Sequence, residues 1–297
     1  AAYNIGLLMP AISTDLSLSL GEQGLLSSAT FWGTLVFIVP LTLWSSRFSP
    51  LKTVIITIVI AGLFMVIQGW APVFAVLILG RMGLGVASVA IDPPAAVIIQ
   101  QWFPKHRIVF VNSIGNAIYS VFLGLGLLAT PFILNALGGK WRFTFFILAA
   151  IFGVMVVLWL LIGRQRIVKR ENIEIETEDT ESALTILKER DLWIAAAGML
   201  GANAAMSGFL TFFPTLMLNT YAISLEWSGL LFFIGYATAG FVGFTSSYFI
   251  TITGKRNQVL MTMGLIMVAG HIGMTLTGSP LILIPLVAIA WGLPGFN

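Results

Sequence analysis

The sequence contains no cysteine and only two histidines, His106 and His271. Disulfides and thiol chemistry are therefore excluded, and no metal centre is expected. Charge is almost as scarce. Asp, Glu, Lys and Arg make up 9% of the 297 residues, whereas a soluble domain carries about a quarter. A water-soluble fold of this length could not cover its surface with so few charges. The composition is instead 58% apolar with a mean hydropathy of +0.98. A helix crossing a bilayer needs roughly 20 mostly apolar residues, and the chain offers such stretches repeatedly. The expected fold class is all-α, a polytopic transmembrane helical bundle.

The first residues, AAYNIGLLMPAI, already lie in an apolar segment and lack the charged start of a signal peptide. They read as a truncated first helix. Apolar stretches follow at about 24–45, 53–71, 73–100, 108–135, 142–163, 192–219, 227–253, 259–277 and 281–297, which makes ten segments. If the first runs outward, the inner loops hold twelve of the basic residues, among them Arg47, Lys52, Lys105, Arg107, Arg164, Lys255 and Arg256. The outer loops hold Lys140 and Arg142. This is the positive-inside pattern, and it alternates through every loop. It accounts for the net charge of +3 without nucleic acid. It also places a multi-pass protein in the cell (inner or plasma) membrane, with the long polar stretch 164–191 in the cytoplasm. The expected organisation is an N-terminal bundle over 1–163, a cytoplasmic central loop over 164–191 and an incomplete C-terminal bundle over 192–297.

Residues 19–26 read SLGEQGLL and residues 224–231 read SLEWSGLL, 205 positions apart. Pro10 precedes the first and Pro214 the second, and each copy leads through an apolar stretch into a short basic turn. The first three segments therefore read as a parallel repeat of the seventh to ninth, an arrangement found in secondary transporters.

Several motifs carry a family resemblance. LWSSRFSPLK at 43–52 resembles the loop signature between the second and third helices of the major facilitator superfamily. Arg47 and Lys52 fit that signature, while Thr42, Ser46 and Ser49 depart from it. GRMGLG at 80–85 is similar to the fourth-helix signature, QQWFPKHR at 100–107 to the turn after it, and GGKWRFTF at 138–145 to the start of the sixth helix. The resemblance implies two six-helix halves around a central substrate cavity, worked by alternating access. About ten of the helices are present. Arg47 and Lys52 would belong to the cytoplasmic gating loop.

Arg81 is the most informative residue, because a charge near a helix centre costs roughly 2.5–3.5 kcal/mol on insertion scales. It is expected either to attract an anionic substrate or to act as a hydrogen-bonding hub between helices. Asp92 lies eleven residues on, about 16 Å along an ideal helix. It reads as a proton-coupling carboxylate or as a neutraliser of Arg47, and the Pro93-Pro94 pair behind it should kink the helix. Asn112, Gly115, Asn116 and Tyr119 share one helical face. Asn203, Ser207 and Thr211 form a second wall, and Tyr236 joins the candidates. Gly115 and Gly124 read as close-packing positions, His271 as structural, and Trp70 and Trp141 as outer aromatic-belt residues.

The functional expectation is a secondary transporter, not an enzyme, taking up a small anionic organic solute coupled to a proton or another ion, and acting as a monomer in the lipid bilayer. No cofactor is expected. The alternative is a multidrug/proton antiporter of the same superfamily. A membrane enzyme would need clustered acids or histidines near a membrane face, and the acids concentrate in the central loop.

Overall fold

The computed structural model describes residues 2–45, 48–164 and 190–277, together with 279 and 282. Among these residues there is no strand. A 3₁₀ turn at Ala2–Asn4 leads into α1 Ile5–Asp15, α2 Leu20–Ser45, α3 Pro50–Trp70, α4 Phe74–Val89 and α5 Asp92–Trp102. The chain continues through α6 Lys105–Ala136, α7 Trp141–Ile162, α8 Arg190–Tyr221, α9 Leu225–Thr253 and α10 Arg256–Leu276. Five described stretches are long and apolar enough to cross a membrane: Pro50–Trp70, Phe74–Trp102, Phe110–Ala136, Trp141–Ile162 and Leu225–Gly243. Apart from residue 282, the expected segment 281–297 lies outside the described residues, as does most of the central loop.

Helix direction alternates, so the turns gather at two ends. The Asp15 end collects the α1–α2, α3–α4, α6–α7 and α8–α9 turns, and the Lys52 end collects the α2–α3, α5–α6 and α9–α10 turns, while the α4–α5 break falls within one spanning stretch. The Gly138–Gly139 turn before α7 needs glycine, since both residues have positive φ, +63° and +78°.

The repeat read from the sequence has a counterpart in backbone geometry. Ser17 and Ala222, again 205 apart, are the non-glycine residues with positive φ among those described, each at +52°. The Leu18 amide donates to the Ser13 carbonyl and the Ile223 amide to the Met217 carbonyl, both at 3.0 Å. The next helices then begin at Leu20 and Leu225. In the first copy Ser19 and Glu22 form a capping box. The Ser19 amide and hydroxyl both donate to the Glu22 carboxylate at 2.8 Å, and the Glu22 amide returns to the Ser19 hydroxyl at 3.3 Å. This satisfies donors at the helix start, so α2 begins about four residues before its apolar run. In the second copy Glu226 instead accepts from the Asn135 amide of α6.

The kink expected from Pro93-Pro94 is a full break at Ala90–Ile91. Neither proline can donate, and each ring crowds the carbonyl four residues back, at Val89 and Ala90. The Ala90 and Ile91 amides bond to the Ala87 and Ser88 carbonyls at 3.2 and 3.4 Å instead, closing a tighter turn. The ideal-helix stripe from Arg81 to Asp92 is therefore interrupted.

Packing is by backbone contact at glycines. A methyl on Gly85 would run into the Thr30 carbonyl of α2, and one on Gly33 into the Met82 carbonyl of α4. Gly80 and Gly83 receive Gln68 and Phe64 of α3, and the buried Gln68 amide donates to the Gly80 carbonyl at 3.3 Å. Gly124 lies against Phe233 as a close-packing position, whereas Gly115 has nothing within 4 Å and packs on no neighbour. Two apolar cores result. One joins Ile5, Leu8 and Met9 to Leu26, Leu77, Leu84 and Phe145, and the other joins Leu7 to Leu127, Leu210, Phe213 and Tyr236. Helix α1 thus feeds both.

Trp141 corrects the aromatic-belt expectation. Trp70 is 77% exposed, but Trp141 is 3% exposed. Its indole N–H donates to Asp15 at 3.2 Å, and its ring stands edge-on to Phe145 at 5.9 Å. Arg142 pairs with the same Asp15 carboxylate at 2.6 Å.

Gly85→Ala should lower the detergent-solubilised melting temperature, because overpacking costs about 1–3 kcal/mol. Gly153→Ala, at an open position in α7, should leave it unchanged or raised. Equal behaviour of the two variants would refute the backbone contact.

Candidate functional site

A cavity of about 730 Å³ lies between α1, α2, α4, the α4–α5 break, α6 and α8. The packing of α4 explains what faces it. Gly80 and Gly83 are occupied by α3 and Gly85 by α2, which leaves Arg81 and Ser88, two turns apart on one face, to line the space. Arg81 is 1% exposed. It is the one charged group among the described wall residues.

Hydroxyls surround it. Helix α2 contributes Ser27, Thr30 and Thr34, at helical steps of three and four. The Thr34 hydroxyl donates to the Thr30 carbonyl at 3.1 Å and to the Gly85 carbonyl at 3.2 Å, joining α2 to α4 behind the wall. The Thr30 hydroxyl is buried and has no hydrogen-bond partner among the described residues, so it is available to a guest. Tyr3 lines the space from the start of the chain, Asn116 and Tyr119 from α6, and Ser207 and Thr211 from α8. Such a lining can hold one anionic group and several hydroxyls, with apolar surface between them.

Among the described residues, helices from the two sides of the cavity meet toward the Asp15 end. A methyl on Gly6 would run into the Leu210 carbonyl, and the buried Asn4 amide donates to Thr130 at 2.9 Å. The Asn135–Glu226 hydrogen bond closes the same end between α6 and α9. Toward the Lys52 end, by contrast, Ile38 and Tyr119 line the cavity while exposed, Tyr119 by 60%.

The sequence-derived candidates divide accordingly. Arg81, Asn116, Tyr119 and Ser207 meet at the cavity. Asn112 is exposed one turn nearer the Lys52 end, and Lys52 is exposed in the first turn of α3. Tyr236 is buried in the second core, behind Tyr3 and Tyr119. Arg47 and the side chains of Asp92 and Asn203 lie outside the described residues. His271 is half-buried, with its Nδ1 2.8 Å from the Met267 carbonyl. Tyr3, Ser27, Thr30 and Thr34 are wall residues that sequence reasoning passed over. The signal for three of them was the hydroxyl stripe on an otherwise apolar α2.

A sequence model described as Major Facilitator Superfamily matches residues 1–297. The chain is 25% identical over 253 residues to the hexuronate transporter of Bacillus subtilis (strain 168), an alignment covering 78% of this chain and 58% of that protein. It therefore spans less than two thirds of that relative's length. It is 25% identical over 244 residues to the galacturonate transporter of Dickeya chrysanthemi, covering 72% and 68%. It is 24% identical over 292 residues to the purine ribonucleoside efflux pump NepI of Shigella sonnei (strain Ss046), covering 97% and 70%. The fold matches the crystal structure of a bacterial homolog of the human lysosomal transporter Spinster, in an inward-facing and unoccupied conformation. That match has a TM-score of 0.76 at 18% identity, over 99% of this chain and 69% of the other.

Because the sequence has no cysteine, single introduced thiols report water access cleanly. Ile38→Cys and Asn116→Cys should react with a membrane-impermeant maleimide on the order of tenfold faster than Leu26→Cys or Met65→Cys, since burial in apolar surroundings suppresses the thiolate. Equal rates would refute a water-filled cavity.

Proposed function

Because this chain belongs to the Major Facilitator Superfamily, whose named relatives are transporters and not enzymes, we propose that it takes up a small organic anion of the sugar-acid class by secondary active transport. The observation that carries this reading is Arg81, fully buried on the wall of a hydroxyl-lined cavity. A guanidinium binds a carboxylate through two parallel N–H···O bonds, and the hydroxyls of Thr30, Ser27 and Ser207 suit the hydroxyls of a sugar ring. The cavity volume falls within the roughly 300–1,000 Å³ of small-molecule pockets. The hexuronate and galacturonate relatives agree with this chemistry.

In this reading 1–163 and 192–297 are the two moving bundles and 164–191 is a cytoplasmic connector, in a monomer of the cell membrane. The basic Lys52 end faces the cytoplasm, so the described geometry is open inward and shut outward. Asn116, Tyr119 and Ser207 line the substrate path from opposite sides, with Asn112, Asn203 and Tyr236 in support. Arg47 and Lys52 latch the inner side when the cavity turns outward. Arg81 stays charged throughout, so the coupling proton is carried by a carboxylate. Asp92, the acid nearest Arg81 in sequence, takes that role.

A second reading, export on the same scaffold, is favoured by one observation. The purine ribonucleoside efflux relatives align over 97% of this chain. A neutral nucleoside would stack on Tyr3 or Tyr119 and make little use of Arg81.

Two measurements on the full-length protein in proteoliposomes separate these readings. Glucuronate or galacturonate uptake should be lost or weakened roughly 10–100-fold in Arg81→Ala, the equivalent of about 1.5–3 kcal/mol for a hydrogen bond to a charged group. Transport of a purine ribonucleoside with unchanged affinity in that variant would overturn anion uptake in favour of export. Asp92→Asn should abolish uptake driven by a pH gradient while sparing substrate exchange. Loss of both would assign Asp92 a structural role.

A further inference from the structure

A second hollow, of about 360 Å³, opens on the outside of the bundle at the Lys52 end, where α5 and α7 finish. Its wall is apolar and comes from Met155, Leu158, Trp159 and Ile162 of α7 and Trp102 of α5. Gly163 and Arg164 close its rim. The Trp102 indole N–H donates to the Arg164 carbonyl at 3.2 Å, which ties the ends of α5 and α7 together. The substrate cavity shares none of these residues.

Two features of the hollow select an occupant. The first is its apolar, aromatic wall at the level where spanning helices meet the headgroups, the depth at which tryptophan collects. The second is charge. The Arg164 side chain is exposed at the rim. Gly163 lies against the Leu51 side chain of α3, and the next residue of that first turn, Lys52, is exposed at the same end, as is Arg107 in the first turn of α6. Among the described residues the carboxylates of Asp15 and Glu226 are held at the opposite end, on Arg142 and Asn135; the acids of 171–191 follow Arg164 in sequence.

We propose that this hollow is a binding site for an anionic phospholipid. One acyl chain lies along Leu158 and Ile162 between the two tryptophans, and the phosphate sits at Arg164 and Lys52. Basic pockets between helices on the cytoplasmic side are suited to anionic headgroups. A zwitterionic lipid with the same chains fills the apolar wall but gains little from the two cations. The site is independent of what the central cavity transports.

The test is lipid titration of the purified full-length protein followed by native mass spectrometry, comparing phosphatidylglycerol with phosphatidylcholine of identical chains. Glycerol 1-phosphate serves as the headgroup alone. Wild type should bind phosphatidylglycerol roughly 25-fold more tightly, since each of the two basic residues near a membrane surface favours an anionic lipid by about a fivefold factor. The preference should vanish in the double variant Arg164→Gln/Lys52→Gln and persist in Lys140→Gln at the far end. Trp159→Ala should weaken both lipids. Equal binding of the two lipids by wild type, or a preference that survives in the double variant, would overturn the proposal. So would displacement by glycerol 1-phosphate, which would mark a site for free phosphate.

Discussion

An apolar helix in lipid gains nothing merely by meeting another apolar helix, because the hydrocarbon tails are as apolar as its leucines. Association depends on how closely two backbones can approach, and that constraint shapes the rest of this structure. Gly33 and Gly85 let α2 and α4 touch main chain to main chain, while Gly80 and Gly83 seat α3. Once two faces of α4 are committed in this way, to α2 and to α3, its roll is fixed and Arg81 is turned to the cavity. A charge that lipid would penalise heavily is thereby placed where water or a ligand can reach it. The GRMGLG run is thus one physical device in which the glycines aim the arginine.

The second consequence concerns motion. The Asp15 end is closed by contacts of two kinds. Gly6 against Leu210, and Leu7 within the second core, make α1 a wedge shared by both sets of helices. The Asn135–Glu226 hydrogen bond adds a polar clasp at the water-facing rim. At an exposed rim, water competes for both partners of such a bond. Between α6 and α9 the close approaches run much of the helix length, at Gly124, Gly229 and Gly240. In the proposed transport cycle this seam, which also buries Leu127 against Leu231, Phe232 and Tyr236, is a surface along which the two sets of helices would move.

Much of the fold was legible in the sequence, because lipid imposes so few ways to satisfy a backbone. Apolar runs mark helices, basic loops mark one side, and a repeated motif marks a repeated turn. Legibility failed where polar atoms solved local problems. The capping box extended α2 into residues that look like loop, and two prolines moved a kink back to a break at Ala90. A single hydrogen bond to Asp15 drew Trp141 out of the aromatic belt. Within the site, Arg81, Asn116, Tyr119 and Ser207 stand out in an apolar sequence, and they do meet at the cavity. Ser27, Thr30 and Thr34 were missed because hydroxyls are common in spanning helices, where they usually bond the preceding turn. Only the roll of α2 against α4 distinguishes the Thr30 hydroxyl, which makes no such bond, from the others.

The paired turns at Ser17 and Ala222 are conformationally unfavourable for residues with a Cβ, at roughly 1–2 kcal/mol each. Two copies that diverged in most side chains still kept that penalty. The turn is therefore a fixed point from which positions in one half can be mapped onto the other, a shift of about 205. Under that mapping Arg81 falls on Leu-Ile-Pro-Leu at 283–286, a stretch with no charge at all. At these corresponding positions the two copies of the repeat are electrically unlike. On the proposed reading, the guanidinium that holds an anion in this cavity belongs to the first repeat, and the position that corresponds to it offers no charge.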